Sequence, residues 1–170
     1  GMRTGDVVFT AGGTEANNLA VKGIVLAALE AGRRHLVISP IEHESILESA
    51  EYLRRFHAVE VTLLPVDARG RIAPDDLTAA IRDDTALVSI GHANNEIGTI
   101  QPIAEIGRVC REAGVLFHTD AVQTAGSLAL DVDALNVDFL SLSGHKFYGP
   151  KGVGTLFARR DVPWRPLLHG

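Results

Sequence analysis

"ALVSIGHANNEIGTIQPIAEIGRVCREAGVLFHTD" runs from Ala86 to Asp120. Its opening apolar run, Ala86–Gly91, reads as a buried strand. Ile103, Ile106, Cys110 and Ala113 then recur at helical spacing and place one apolar face on a helix, which Gly114 stops. Val115–His118 returns to strand. Two buried strands joined through a helix make a crossover, and crossovers build parallel sheets covered on both faces.

The same alternation extends in both directions. Upstream, Asp6–Thr10, His35–Ser39 and Val59–Leu64 read as strands, with helices from about Glu15 to Ala31 and over Glu44–Phe56. Pro74, Asp75 and Asp76 make the acidic first turn of a helix ending near Arg82. Downstream, Phe139–Leu142 and Gly152–Ala158 are strands joined by a short turn around Gly149 and Pro150, so the last strand should run antiparallel to its neighbour. The fold class is therefore α/β, a three-layer α/β/α sandwich on a mostly parallel sheet with an antiparallel last strand.

The 170 residues suit one domain with a substantial core. The formal charge is −5 and no Lys/Arg cluster marks a face, so nucleic-acid binding finds no support. No apolar run is long enough for a membrane span. The single cysteine, Cys110, rules out an internal disulfide framework and fits a reducing, cytoplasmic setting. Gly1 ahead of Met2 reads as an added residue and is left out of fold reasoning.

In open sheets of this kind, ligands sit at the carboxyl ends of the strands. Five polar clusters fall there. "TAGGTEANN", Thr10 to Asn18, opens a helix with glycines, so its backbone N–H groups can hold an anion with help from Thr14; a Gly-Gly-Thr turn is also an ordinary chain reversal. His43 in "IEHES" is at a helix start, where a capping histidine is equally at home. Asn94 and Asn95 in "GHANNEIGTIQP" form a turn or face a ligand. Asp120 and Gln123 sit in "FHTDAVQTAG", and a carboxylate there needs a cationic partner or several hydrogen bonds, unless it merely caps the next short helix. In "SLSGHKFYGPKGVG", Ser143, His145 and Lys146 follow the apolar run Val137–Leu142; the lysine alone would pass for a solvated loop residue.

Each plain role is reasonable singly, but all five clusters share one edge of one sheet. An anion nest, a carboxylate, a histidine, an amide pair and a lysine together suit pyridoxal 5'-phosphate, which needs a lysine for its aldehyde, an acid for its ring nitrogen and a cup for its phosphate. No metal site is read from the sequence.

The stretches "FTAGGTEANNLAVKG", "IEHESIL", "VSIGHANNEIGTIQPI", "HTDAVQTAG" and "SLSGHKFYGPKGVGTL" strongly resemble the cysteine desulfurases, fold-type I pyridoxal-phosphate enzymes of the class V aminotransferase superfamily. The resemblance implies a PLP-dependent transferase-like large domain over residues 1–170. It implies that Lys146 carries the cofactor, that Asp120 pairs with its ring nitrogen and Gln123 with its phenolic oxygen, and that His43 stacks on the ring and assists proton transfer. Thr14, Ser143 and His145, with the Gly13 backbone, would bind the phosphate. Asn95 would lie near the phenolic oxygen or the substrate carboxylate. The implied reaction takes sulfur from L-cysteine, leaving L-alanine and an enzyme persulfide for iron–sulfur cluster or thionucleoside synthesis. The implied partners are a second subunit in a homodimer and a sulfur-acceptor or iron–sulfur scaffold protein.

The resemblance is partial. Members of this family run to roughly twice this length, with an N-terminal segment and a C-terminal small domain outside the stretch present here. The persulfide cysteine and the arginine that grips the substrate carboxylate belong to the part beyond Gly170. Cys110, on the apolar helix face, reads as a small buried hydrophobe rather than a substitute nucleophile. The chain alone is therefore expected not to turn over sulfur. Ala11 stands where the family commonly has serine. Two other readings compete: a selenocysteine lyase or another class V enzyme, and a non-catalytic scaffold or interaction domain.

Overall fold

The computed structural model describes residues 6–169. Gly1 and Met2 lie outside the described residues. Seven strands are present: β1 Val7–Thr10, β2 His35–Ile38, β3 Glu60–Leu63, β4 Thr85–Ser89, β5 Leu116–Asp120, β6 Phe139–Ser143 and β7 Gly154–Ala158. Four α-helices accompany them: α1 Gly13–Ala28, α2 Glu44–His57, α3 Pro74–Ala80 and α4 Ile103–Glu112. The sheet order is β1-β7-β6-β5-β4-β2-β3. Only β7 runs against the others: it is antiparallel to both β6 and β1, and the remaining pairings are parallel.

The strand period of two divides the side chains between two cores. Leu36, Ile38, Leu87 and Phe139 pack on one face under α1 and α2, against residues such as Ile24, Val25, Ile46 and Leu53. Val37, Val88, Phe117 and Leu140 pack on the other face with Leu77 of α3 and with Ile103, Ile106 and Cys110 of α4. This is the three-layer sandwich read from the alternation of elements. Among the described residues, no helix is long and apolar enough to cross a membrane.

Some boundaries differ from the sequence expectation, each for a local reason. Helix α1 begins at Gly13 rather than Glu15, because the glycines belong to its first turn. It gives way to a 3-10 turn over Leu29–Ala31 that ends on left-handed Gly32. Helix α3 stops at Ala80: Ile81 is extended, and the Arg82 N–H turns to the Thr85 hydroxyl at 2.8 Å. Strand β5 extends to Asp120, which makes that carboxylate the last residue of the strand.

Alternation also puts Ser89, His118, Asp120, Ser141 and Ser143 on the face under α1. His118 is fully buried there and joins three neighbouring strands: Nδ1 meets Ser89 Oγ at 2.8 Å and Nε2 meets Ser141 Oγ at 2.9 Å. Burial pushes its pKa down to about 3, so it is neutral in the fold. The unfolded chain, with a value near 6.5, takes up the proton first as the pH falls. Stability should therefore drop by up to about 1.4 kcal/mol per pH unit from about 6.5 towards 3. His118→Ala should cost about 2–4 kcal/mol at neutral pH, through the cavity and two stranded hydroxyls. Urea unfolding from pH 7 to pH 4 checks both expectations: the variant should show the shallower acid dependence, and equal slopes would contradict this role.

Candidate functional site

Five of the parallel strands, β1, β2, β4, β5 and β6, end at the same edge, and the polar clusters of the sequence follow them there. Gly13, Thr14, His43, Asn95, Asp120, Gln123, Ser143, His145 and Lys146 all line one cavity of about 270 Å³. They come from five separate segments. Two more residues join them: Asn17 and Val122.

The first wall is the start of α1. The first intrahelical bond runs from Ala16 N–H to Gly12 O, so the N–H groups of Gly13, Thr14 and Glu15 lie outside the helix ladder. They carry the positive end of the helix dipole. The approach is close on two sides. A Cβ on Gly13 would lie 2.7 Å from Val122 Cγ2, and one on Gly154 would lie 2.5 Å from the Gly12 carbonyl carbon. Ser143, at the end of β6, is 2% exposed and sits 3.1 Å from His145 Nδ1. Helical N–H groups, two hydroxyls and an imidazole make an anion-binding donor set. Lys146 follows in the 3-10 turn Gly144–Phe147 and is exposed at the cavity rim rather than inside the strand.

Asp120 also lines this cavity. Oδ1 accepts the Val122 N–H at 2.9 Å, and Oδ2 accepts Asn17 Nδ2 at 2.7 Å. Burial raises its pKa; those two donors and the nearby His43 act in the other direction. No cation pairs with this carboxylate among the described residues. A desolvated carboxyl that faces a cavity without a cation suits a ligand that brings a positive charge.

His43 is both site residue and helix cap. Its Nδ1 accepts the Ser45 backbone N–H at 3.0 Å and starts α2. The two readings of a capping histidine and a ligand-facing one are thus compatible. Asn94 and Asn95 separate: Asn94 Oδ1 accepts the N–H groups of Glu96 and Ile97 and its amide donates to Ile41 O, which makes it a turn residue. Asn95 is exposed to the cavity. Beside it, Glu42 shares the Gly91 N–H between its two carboxylate oxygens at 3.0 and 2.9 Å. Burial pushes Glu42 up to about 8.

Comparison with known proteins follows this geometry. The family model for aminotransferase class-V matches residues 2–170. The chain belongs to that family. It is 50% identical over its full length to the cysteine desulfurase IscS of Dictyoglomus turgidum and 52% identical to that of Methanosarcina thermophila, covering 43% and 42% of those proteins. The solved structure "SspA in complex with cysteine" superposes with a TM-score of 0.92 at 46% identity, over 97% of this chain and 48% of that one. The resemblance to cysteine desulfurases thus holds in sequence and in fold, and the chain spans less than half the length of these relatives.

The residues present fit pyridoxal 5'-phosphate on the structure's own terms. The donor set suits a phosphate, the uncompensated Asp120 suits a protonated ring nitrogen, and the only lysine in the cavity wall is Lys146. Sequence reasoning missed Asn17 and Gly154. Asn17 is masked by its neighbour Asn18 in the same motif, and Gly154 by an ordinary strand start.

The close approach at β7 can be tested without any ligand. Gly154→Ala should force the start of α1 aside and cost about 1–3 kcal/mol, while Gly12→Ala, whose Cβ would meet nothing within 4 Å, should be tolerated. Thermal melting separates the two, at about 2–4 °C per kcal/mol for a chain of this size. Equal melting temperatures for both variants would refute the packing argument.

Proposed function

We propose that residues 1–170 are the cofactor-binding large domain of a cysteine desulfurase, with an N-terminal segment and a small C-terminal domain lying outside them. Pyridoxal 5'-phosphate, when bound, supplies an aldehyde for a primary amine and a protonated ring that draws electrons from the substrate α carbon. The nest at the start of α1, with Thr14, Ser143 and His145, holds its phosphate. Asp120 keeps a proton on the ring nitrogen, and Gln123 donates to the phenolic oxygen. Lys146 would hold the cofactor through its side-chain amine, and that amine would carry protons at the cavity rim. His43 covers the ring and supports proton transfer, and Asn95 orients the phenolic oxygen or the substrate carboxylate. The one observation that carries this reading is the convergence of these residues from five segments on one cavity beside a buried carboxylate that, among the described residues, makes no salt bridge.

Desulfuration also needs a thiol to accept the sulfur. The single thiol of this chain is Cys110, which is 1% exposed in the core under α4, with a pKa that burial pushes up to about 12. A buried thiol with so little thiolate is inert as a nucleophile. On this reading the sulfur-accepting cysteine lies outside residues 1–170. A homodimer, an iron–sulfur scaffold or other sulfur acceptor, and a reducing cytoplasmic setting complete the proposal for the whole protein.

Adding pyridoxal 5'-phosphate should produce a visible absorbance band that Lys146→Ala abolishes. Its absence from the wild type would favour the non-catalytic scaffold. With cofactor and L-cysteine supplied, residues 1–170 alone should form no alanine in multiple turnovers. Steady alanine and sulfide release would show that the accepting thiol is not needed or lies within this stretch.

A further inference from the structure

We propose that Asn17 and Ser45 are positioning residues that tie the Asp120 carboxylate to the His43 ring. This rests on the cofactor reading above and extends it to two residues outside the ligand set. Asn17 is 1% exposed, and its one amide nitrogen serves two acceptors: Asp120 Oδ2 at 2.7 Å and Ser45 Oγ at 2.9 Å. Ser45 Oγ in turn lies 2.8 Å from His43 Nδ1. Helix α1, the start of α2 and the end of β5 are thereby joined by one chain of hydrogen bonds.

The direction of each bond follows from the chemistry of its ends. An ionised carboxylate only accepts, so Asn17 must turn its NH2 towards Asp120. The opposite orientation would set two oxygens against each other. Ser45 Oγ accepts the second amide proton, which leaves its own proton for His43 Nδ1. The Ser45 backbone N–H points at the same ring nitrogen. Nδ1 is thus an acceptor twice over, and the neutral ring carries its proton on Nε2. The cost is visible: Asn17 Oδ1 is buried with no hydrogen-bond partner among the described residues. The amide is turned to satisfy Asp120, and in that orientation its oxygen meets no donor.

The chain of bonds favours the ionised form of Asp120 against its burial and leaves Nε2 as the one His43 nitrogen free to exchange a proton. The other charged or titratable groups around Asp120 are His43 and Glu42 from the loop before α2, and His145 and Lys146 across the cavity.

The test uses Asn17→Ala, Ser45→Ala and the double variant, with folding checked by circular dichroism. Asp120 is titrated through its carboxyl carbon and His43 is read through its ring nitrogens by NMR, both without cofactor. Pyridoxal 5'-phosphate affinity is measured separately by absorbance. Loss of a hydrogen bond to a charged group corresponds to about tenfold, so Asn17→Ala should raise the Asp120 midpoint by about one pH unit and weaken the cofactor about tenfold. Ser45→Ala should move the His43 ring signals and shift Asp120 less. The double variant should be no worse than Asn17→Ala. Unchanged Asp120 and His43 signals in folded single variants, or effects that simply add, would overturn the proposal. Should Asn17→Ala not fold, Ser45→Ala decides alone by the His43 signals. Should the wild type bind no cofactor, the functional reading fails while the NMR measurements still decide the link.

Discussion

The carboxylate of Asp120 is the constraint around which this molecule is arranged. It ends β5 at the edge of the sheet where the polar clusters gather, desolvated and, among the described residues, in no salt bridge. Such a group persists only where donors surround it, and here the turn at Val122 and the first helix through Asn17 supply them. Holding Asn17 over β5 fixes where α1 must lie. Fixing α1 sets its first turn against Val122 and β7, at the spacing only Gly13 and Gly154 allow. The anion nest and the carboxylate are two ends of one positioned element.

The sheet beneath carries the same precision sideways. Ser89, His118 and Ser141 make a polar row across β4, β5 and β6 on the face that α1 and α2 cover. Because side chains alternate along a strand, that row sits one step below Asp120 and Ser143. A slip of one residue in β5 would send Asp120 to the far face, and a slip in β6 would do the same to Ser143. A neutral histidine bonded on both sides opposes that slip, which links register to the geometry of the site.

Much of this was legible in the sequence, because the strands at the centre of the sheet are short apolar runs and the helices between them have one apolar face. The β6–β7 hairpin was readable from the short turn at Gly149 and Pro150. The place of β1, at the edge beside β7, was not: pairing partners distant in sequence leave no local periodicity. The clusters at the strand ends were visible as polar breaks, and their convergence followed from parallel topology. What local reading could not separate was Asn94 from Asn95, or Asn17 from Asn18. In each pair one amide is committed to structure or to the site by a partner far away in the chain. An exposed Lys146 was one of the readings the sequence left open, and the structure accounts for it: the strand stops at Ser143, and Lys146 follows in an exposed 3-10 turn.

The account stands on Lys146 being the residue that carries the cofactor. The chain has three lysines, Lys22, Lys146 and Lys151, and only Lys146 lines the cavity shared with Asp120. Borohydride reduction in the presence of pyridoxal 5'-phosphate, followed by peptide mass mapping, reads the attachment directly. Stoichiometric labelling of Lys146, with Lys22 and Lys151 unmodified, is the predicted result. Labelling spread over all three lysines, or none at Lys146, would contradict the account.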